Sequence, residues 1–340
     1  KIASATAEVR RLGPPGDVVA ALGGAPVDVE TQTAFVEALE TNAALRRFPP
    51  RRAYLRRVFE AIVRSAAHQC DGSARDDHEE EAPLSDALCA ALATSMVAAS
   101  PGGEWSNDDD DDAGHATFDV PCSHAKNPLD KTEAPVTRTL GVRVFDRRNE
   151  VGLRLWPAAE FLAAWVVAGA SARTAFFDVL DAAIIVELGA GVGLCGLAIA
   201  AVARPRAVWL TDGDAAVARN LRHNAAANGF TACRVAHLDW RDEAFDQGAC
   251  RDRFLLEQGD DVSKLVVVAA DCVYDARAAA GLARLLAVFA RCAGTVHIWL
   301  ANAVRDERTW SSCRAALREA GLVVLSDETR AAVAVVDAAP

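Results

Sequence analysis

Short runs of apolar, β-branched residues alternate with alanine-rich stretches in the second half of the sequence, from about residue 136 onward. This alternation predicts parallel strands joined by helices. The predicted sheet strands are Ile184–Leu188, Ala207–Thr211, Arg234–His237, Leu265–Ala270, Thr295–Leu300, Leu322–Leu325 and Ala332–Val336. The last two follow each other without a helix between them. We therefore expect a mostly parallel seven-stranded sheet whose last strand is antiparallel.

The first hundred residues have a helical pattern instead. Thr33–Arg47, Arg51–Ala67 and Ala87–Ala99 show apolar positions at helical spacing. One apolar stripe of the second segment consists of Leu55, Val58, Phe59, Ile62 and Val63. The sequence thus predicts an N-terminal helical module over residues 1–100 and an α/β domain over residues 136–340.

The stretch between these parts, residues 101–135, has little periodicity and contains the acidic run Asp108–Asp112. A block of like charges repels itself and buries no apolar surface, so we expect a disordered insertion here. Just after it, Val142–Phe145 is predicted as part of an accessory hairpin.

Composition excludes several classes of protein. The net charge of −11 argues against nucleic acid as a main partner. No apolar run reaches the roughly 20 residues of a membrane span, and the first 30 residues lack the apolar core of a signal peptide. The 9 cysteines are irregularly spaced, which favours free thiols in a reducing cytoplasm. We expect a cytoplasmic monomer.

Two clusters of polar residues allow more than one interpretation. His68, Cys70 and His78 do not complete a tetrahedral ligand set, so no metal site is expected. An arginine cluster opens the second predicted helix, at Arg46, Arg47, Arg51, Arg52, Arg56 and Arg57. It is either a solvated helix face or a docking surface for an acidic partner.

The strongest local motif is the segment Glu187-Leu188-Gly189-Ala190-Gly191-Val192-Gly193, which lies between a predicted strand and a helical run. Glycines at this point allow a tight turn, and the helix N-terminus favours an anionic group. Gly191, Gly193 and Gly196 also satisfy the dinucleotide pattern GxGxxG. A loop that binds S-adenosylmethionine, a dinucleotide-binding loop and a purely structural turn all remain open.

Acidic residues end the following strands. Asp212, with Asp214 as second choice, is placed to accept both hydroxyls of a ribose. Asp239 is a candidate acceptor for an adenine amino group, and the indole of Trp240 for packing on the adenine ring. Asp271 ends a run of apolar residues at the same edge of the sheet. The alternative for each acid is an ordinary helix cap or strand end.

Taken in order, these motifs resemble those of the seven-β-strand, class I protein-lysine methyltransferases. The carrying residues are Glu187-x-Gly189-x-Gly191-x-Gly193, Asp212, Leu238-Asp239-Trp240 and Asp271-Cys272-Val273-Tyr274, preceded by the tryptophan segment Gly152–Leu162 and accompanied by Leu221–Asn224. Phe48–Arg51, Ala203–Ala207 and Val304-Arg305-Asp306 are similar to one subgroup, the eukaryotic elongation factor 2 lysine methyltransferases. The resemblance covers roughly residues 48–67 and 140–325.

The resemblance implies a Rossmann-like methyltransferase domain that uses S-adenosylmethionine to methylate a lysine of a protein, with elongation factor 2 as the expected substrate. It implies that Glu187, Gly189, Gly191, Gly193, Asp212, Asp239, Trp240 and Asp271 bind the cofactor and that Trp156 covers it. Asp271 would orient the lysine amine, and Tyr274 would line its channel. A nicotinamide-dependent oxidoreductase, a non-catalytic cofactor-binding module and a methyltransferase acting on another protein lysine are the alternatives.

Overall fold

The computed structural model describes residues 1–67, 84–96, 113–122, 136–145, 151–172, 177–255, 264–326 and 333–338. The chain divides into two compact units. One comprises residues 1–118 with 143–147, and the other comprises residues 119–142 with 148–340.

Helices dominate the first unit. They are α1 (Ile2–Arg11), α2 (Pro15–Ala21), α3 (Val29–Thr41), α4 (Ala43–Arg47), α5 (Arg52–Ala67) and α6 (Asp86–Met96). The predicted apolar stripe of α5 faces the core of this unit, where Val58 and Ile62 are fully buried beside Phe35 and Leu88. Burial of this stripe, rather than helix propensity alone, holds the short helices together.

The structure corrects the sequence analysis at two places in this unit. Helices α1 and α2 had no predicted counterpart. The single helix predicted over Thr33–Arg47 is interrupted at Asn42, whose side chain accepts hydrogen bonds from the backbone N–H groups of Ala44 and Leu45 at 3.0 and 3.1 Å. An asparagine that caps a new helix in this way ends the preceding one.

A two-stranded sheet consists of β1 (Ala113–Cys122) and β2 (Val136–Phe145). Strand β1 lies inside the segment that was expected to be irregular, so that expectation is wrong for these residues. Ala116 and Val120, four residues apart on one face of the strand, are both buried. The predicted hairpin strand Val142–Phe145 is the end of β2. The acidic run Asp108–Asp112 and the cluster His68, Cys70 and His78 lie outside the described residues.

The second unit is an α/β domain. Its strands are β3 (Ile184–Leu188), β4 (Ala207–Asp212), β5 (Cys233–His237), β6 (Lys264–Ala270), β7 (Thr295–Ala301), β8 (Leu322–Ser326) and β9 (Val333–Ala338). Its helices are α7 (Pro157–Ser171), α8 (Leu194–Val202), α9 (Ala215–Asn228), α10 (Gln247–Cys250), α11 (Ala276–Ala290) and α12 (Glu307–Glu319).

These strands form one sheet in the order β5-β4-β3-β6-β7-β9-β8. The pairs from β5 through β7 are parallel, while β9 pairs antiparallel with both β7 and β8. The predicted mostly parallel, seven-stranded, Rossmann-like sheet with an antiparallel last strand is therefore confirmed. Every residue of β3 is buried, as expected for the central strand of a sheet covered on both faces.

The order of the strands places the ligand-binding edge. From β3 the chain runs outward through β4 to β5, then returns to the other side of β3 at β6. In open α/β sheets ligands bind beyond the carboxyl ends of the strands at such a reversal. The acidic motifs end these same strands. No helix in the described part of the chain is long and apolar enough to cross a membrane.

Candidate functional site

The turn after β3 depends on left-handed glycines. Gly189, Gly191 and Gly193 have φ angles of 57°, 55° and 83°. The N–H of Ala190 donates to the carbonyl of Thr211 at 2.8 Å, which fastens the loop to the end of β4. Glycine adopts this conformation without the steric cost that other residues incur. The loop therefore exposes its backbone at the edge of the sheet and leads directly into α8.

Glu187, the acid that precedes this loop, is buried beneath it. Its Oε2 accepts a hydrogen bond from the N–H of Gly196, in the first turn of α8, at 2.8 Å. Burial raises the pKa of Glu187 to about 8, and the nearby Asp212 carboxylate adds to this effect. The side chain thus fixes the start of α8 from below the loop.

Asp212 lies at the end of β4 and contacts the glycine loop. Its Oδ2 accepts from the N–H of Gly191 at 3.2 Å, and its Oδ1 accepts from the N–H of Asp214 at 3.0 Å. Burial raises the pKa of Asp212. Asp214 caps α9 by accepting from the N–H groups of Ala216 and Val217 at 2.6 and 3.1 Å. The cap interpretation therefore applies to Asp214, and the prediction of a ribose acceptor stays with Asp212.

Asp239 follows β5 and is held by Arg241. The guanidinium donates Nε and Nη2 to the two carboxylate oxygens at 2.9 and 2.7 Å, and the Arg241 N–H donates to Oδ1 at 2.9 Å. These hydrogen bonds lower the pKa of Asp239, so it is ionised at neutral pH. Sequence reasoning found Asp239 but not the arginine that orients it.

Asp271 follows β6 and has a left-handed backbone, with φ of 56°. Its two carboxylate oxygens accept from Nη1 and Nη2 of Arg305, each at 2.8 Å. The N–H of Ala303 donates to Oδ1 at 3.2 Å. The Asp271 side chain is only 2% exposed, whereas that of Arg305 is 43% exposed. A bidentate pair of this kind fixes the carboxylate in position and orientation.

Arg305 also contacts an aromatic residue of the site. Its guanidinium carbon lies 5.1 Å from the ring centroid of Trp156, within the range of a cation–π contact. The Trp156 Nε1 donates to the carbonyl of Val151 at 2.9 Å, which fixes the indole. In the sequence, Arg305 is distinguished only as part of the segment Val304-Arg305-Asp306. Sequence alone did not pair it with Asp271.

A second residue that sequence reasoning missed is Asn302, at the end of β7. Its Oδ1 accepts from the N–H of Val273 at 2.9 Å, and its Nδ2 donates to the carbonyl of Val273 at 3.1 Å. This two-point clamp holds the segment between Asp271 and Tyr274. The Tyr274 side chain stays accessible, and the residue is 57% exposed.

A cleft of about 620 Å³ lies at this edge of the sheet. The predicted site residues that it brings together are Trp156, Gly189, Gly191, Asp212, Asp239, Trp240, Asp271 and Tyr274. Glu187 and Gly193 do not line it, since one lies beneath the loop and the other begins the helix. The charged lining residues are Asp212, Asp214, Asp239, Asp271 and Asp275, against Arg241.

Comparison with known proteins connects this site to a family. The model of the family described as "Lysine methyltransferase" matches residues 141–311. The protein-lysine N-methyltransferase EEF2KMT of Mus musculus is 31% identical over 172 residues, which is 46% of each chain. The Homo sapiens protein of the same name is 30% identical over 186 residues, covering 50% of this chain and 51% of its own.

A third relative, the putative protein N-methyltransferase FAM86B1 of Homo sapiens, is 31% identical over 176 residues, or 46% of this chain and 47% of its own. The chain spans about half the length of the curated relatives it matches. The matched family region contains the cleft and every strand from β3 to β7.

Proposed function

The chain belongs to the lysine methyltransferase family, and we propose that it transfers a methyl group from S-adenosylmethionine to a lysine side chain of a protein. The observation that carries this proposal is the acidic cleft at the carboxyl edge of the sheet, with the fixed carboxylate of Asp271 in its wall. A fold of this class hosts many reactions, so the site rather than the sheet supports the activity.

The lining of the cleft fits this cofactor. S-adenosylmethionine carries a sulfonium and an ammonium group, whereas a dinucleotide carries two phosphates. Even with Asp271 paired to Arg305 and Asp239 paired to Arg241, the lining keeps an excess of aspartates, which favours the cation and repels the phosphates. The glycine loop also packs closely on its neighbours: a Cβ on Gly189 would lie 2.8 Å from Cys272 Sγ and 3.3 Å from the Trp240 ring. The rival dinucleotide interpretation is therefore disfavoured.

Each wall residue has a chemical role in this proposal. The carboxylate of Asp212 accepts from the ribose hydroxyls, because its buried position and fixed oxygens suit a bidentate acceptor. Asp239, oriented by Arg241, accepts from the adenine amino group. The indole of Trp240 packs on the adenine, and that of Trp156 covers the cofactor.

When bound, the cofactor supplies a methyl group on positively charged sulfur: the lysine nitrogen forms the new N–C bond while the C–S bond breaks and its electron pair stays on sulfur. The protein accelerates this step by alignment and by excluding water. Asp271 orients the amine, and the accessible ring of Tyr274 lines its approach. The proton lost from nitrogen passes to water.

The proposed acceptor is a lysine of elongation factor 2. The names of the relatives EEF2KMT and the subgroup motifs in this sequence support this choice. The proposed compartment is the cytoplasm, where the free thiols of the described cysteines remain reduced. We propose that the protein acts there as a monomer.

A transfer assay tests the proposal. The protein is incubated with S-adenosylmethionine labelled on its methyl group and a cytosolic extract from cells that lack the enzyme. We expect one labelled protein at the mass of elongation factor 2, with the label on lysine and lost in the Asp271→Ala variant.

Other outcomes separate the alternatives. A single label at another mass would keep the lysine methyltransferase and reject elongation factor 2. Cofactor binding without any label would favour a non-catalytic module, and binding of NADH instead of S-adenosylmethionine would favour an oxidoreductase.

A further inference from the structure

The carboxylate of Asp271 is matched to a permanent positive charge. Both of its oxygens accept from Arg305 at 2.8 Å, and the two residues are 34 positions apart in the sequence. A guanidinium does not lose its proton at physiological pH. The Asp271 carboxylate also raises the pKa of Arg305 further. Arg305 therefore stays a cation over the whole pH range in which an enzyme works, and it bonds to both oxygens of this carboxylate.

The charge beside Asp271 affects methyl transfer, because a methyl acceptor must be an uncharged amine. Free lysine has a pKa of about 10.4, so most of it is an ammonium ion at neutral pH. A lone buried carboxylate beside the amine would stabilise the ammonium ion further. Such a carboxylate would bind the substrate well but would hold it in the unreactive form.

The hydrogen bonds of Asp271 offer a way to bind the amine without holding it in its charged form. Asp271 Oδ1 accepts from Arg305 and from the N–H of Ala303, whereas Oδ2 accepts only from Arg305 among the contacts at this carboxylate. A carboxylate oxygen has two acceptor positions, so Oδ2 keeps one for an amine N–H. The cleft is lined by Asp271 and Trp156 but not by Arg305, which pairs with the first and packs on the second.

We propose that Arg305 is a positioning residue that neutralises the charge of Asp271, so that this carboxylate aligns the acceptor lysine without holding it as an ammonium ion. This inference rests on the proposed function. The contact with Trp156 holds the guanidinium beside the carboxylate, and the remaining hydrogen-bonding position on Oδ2 gives the amine its direction.

The other ionisable groups that face the cleft stay unchanged in the test. They are Asp212, Asp214, Asp239, Arg241, Cys272, Tyr274 and Asp275. Because Arg305→Met and Arg305→Lys change only this side chain, a pH profile that differs from that of the wild type is due to Arg305.

The test measures single-turnover methylation against pH, with saturating cofactor and the acceptor protein labelled in the extract assay. In Arg305→Met, Asp271 loses its cationic partner and should stabilise the ammonium form of the acceptor lysine. The acidic limb of the rate profile, where the rate falls at low pH, should therefore move to higher pH by about one unit. Arg305→Lys keeps the charge but has no planar fork, so the rate should fall while the limb stays in place. Arg308→Met, an exposed arginine in the first turn of α12, is the matched control and should match the wild type.

The outcomes separate the two proposals. A limb that stays in place in Arg305→Met, or one that moves equally in Arg305→Lys, would overturn the charge role of Arg305 while leaving the methyltransferase intact. A wild type that labels no acceptor would overturn both. Binding of S-adenosylmethionine by each variant, measured by calorimetry, shows that the variant is folded, so a shifted limb cannot be attributed to loss of structure.

Discussion

Two residues of the cleft, Gly189 and Asp271, have left-handed backbones with φ of 57° and 56°. For glycine this conformation is free, but for a residue with a Cβ it costs roughly 1–2 kcal/mol. Asp271 tolerates it because its N–H donates to the carbonyl of Ala301 at 2.8 Å and its carboxylate is held by Arg305. A strained, strongly bonded polar residue at a strand end is typical of a functional site.

The left-handed backbone of Gly189 gives a prediction for the substitution Gly189→Ala. The new Cβ would be in a left-handed residue and 2.8 Å from Cys272 Sγ, so either the loop or the thiol must move. We expect a loss of about 1–2 kcal/mol in the free energy of unfolding from the conformation alone. Affinity for S-adenosylmethionine should fall about tenfold or more, because Gly189, Cys272 and Trp240 all line the cleft and at least one of them must shift.

The matched control is Gly16→Ala, in α2. No atom lies within 4 Å of a Cβ placed there. Alanine in a helix should stabilise the protein slightly, by up to about 1 kcal/mol, and leave cofactor binding unchanged. Titration calorimetry measures the cofactor affinity of both variants, and urea unfolding measures their stability. Equal effects of Gly189→Ala and Gly16→Ala would show that the glycine loop has no special role.

At the scale of the element, the junction of β3 and α8 rests on a buried acid. The Glu187 carboxyl has its pKa raised to about 8, well above the ordinary value of about 4.3 for a glutamate in an unfolded chain. Between these values the unfolded state loses its proton while the folded state keeps it. Stability should therefore fall as the pH rises through this window, by up to roughly 1.4 kcal/mol per pH unit.

Glu187→Gln removes this proton exchange and retains an oxygen that can accept from the Gly196 N–H. We expect the variant to lose less stability than the wild type between about pH 5 and pH 8, measured as the free energy of unfolding in urea. Glu243→Gln, at an exposed glutamate, should behave as the wild type does. If all three proteins have the same pH dependence, Glu187 is not the group responsible.

The central strands β3, β4 and β6 were predictable because each is a buried apolar run that ends at, or is followed by, an acid or a glycine. β3 was predicted with its observed bounds, and β6 was predicted to within one residue. Strand β1 was not, since it is a mixed polar and apolar segment, and its partner β2 begins 14 residues after it ends. When two paired strands are separated in the sequence, the local periodicity gives little indication that they pair.

The same reason explains the incomplete prediction of the site. Acids at the ends of neighbouring parallel strands must meet, so Asp212, Asp239 and Asp271 could be grouped from the sequence. The partners Arg241 and Arg305 lie on loops, where side-chain direction depends on the fold. No spacing rule connects Asp271 to a residue 34 positions away.

At the scale of the whole molecule, each unit contains one local cluster of like charge. The cleft of the second unit is acidic. In the first unit Arg46, Arg47, Arg52, Arg56 and Arg57 are exposed, while Arg51 is buried. Arg56 pairs with Glu60 at 3.5 Å, which supports the solvated helix face for that residue. For the cluster as a whole, the solvated helix face and the docking surface for an acidic partner both stay open.

Each unit has its own hydrophobic core. This permits a prediction of which unit binds the cofactor and which one recognises the acceptor. The first core includes Phe35 and Val58, and the second includes Val186 and Val267. The end of β2 that belongs to the second unit is held by Asn228, which accepts from the Gly141 N–H at 3.0 Å and donates to its carbonyl at 2.7 Å. A chain that begins at residue 136 keeps these bonds.

We therefore expect deletion of residues 1–135 to leave the affinity for S-adenosylmethionine within a few-fold of the wild-type value, because every residue of the cleft remains. We propose that the helical module docks the acceptor, so methylation of a large acceptor protein should be lost. Calorimetry measures the first quantity, and transfer of labelled methyl groups to the acceptor measures the second. Full activity in the shortened chain would assign acceptor recognition to the α/β domain alone, whereas loss of cofactor binding as well would show that the two units fold as one.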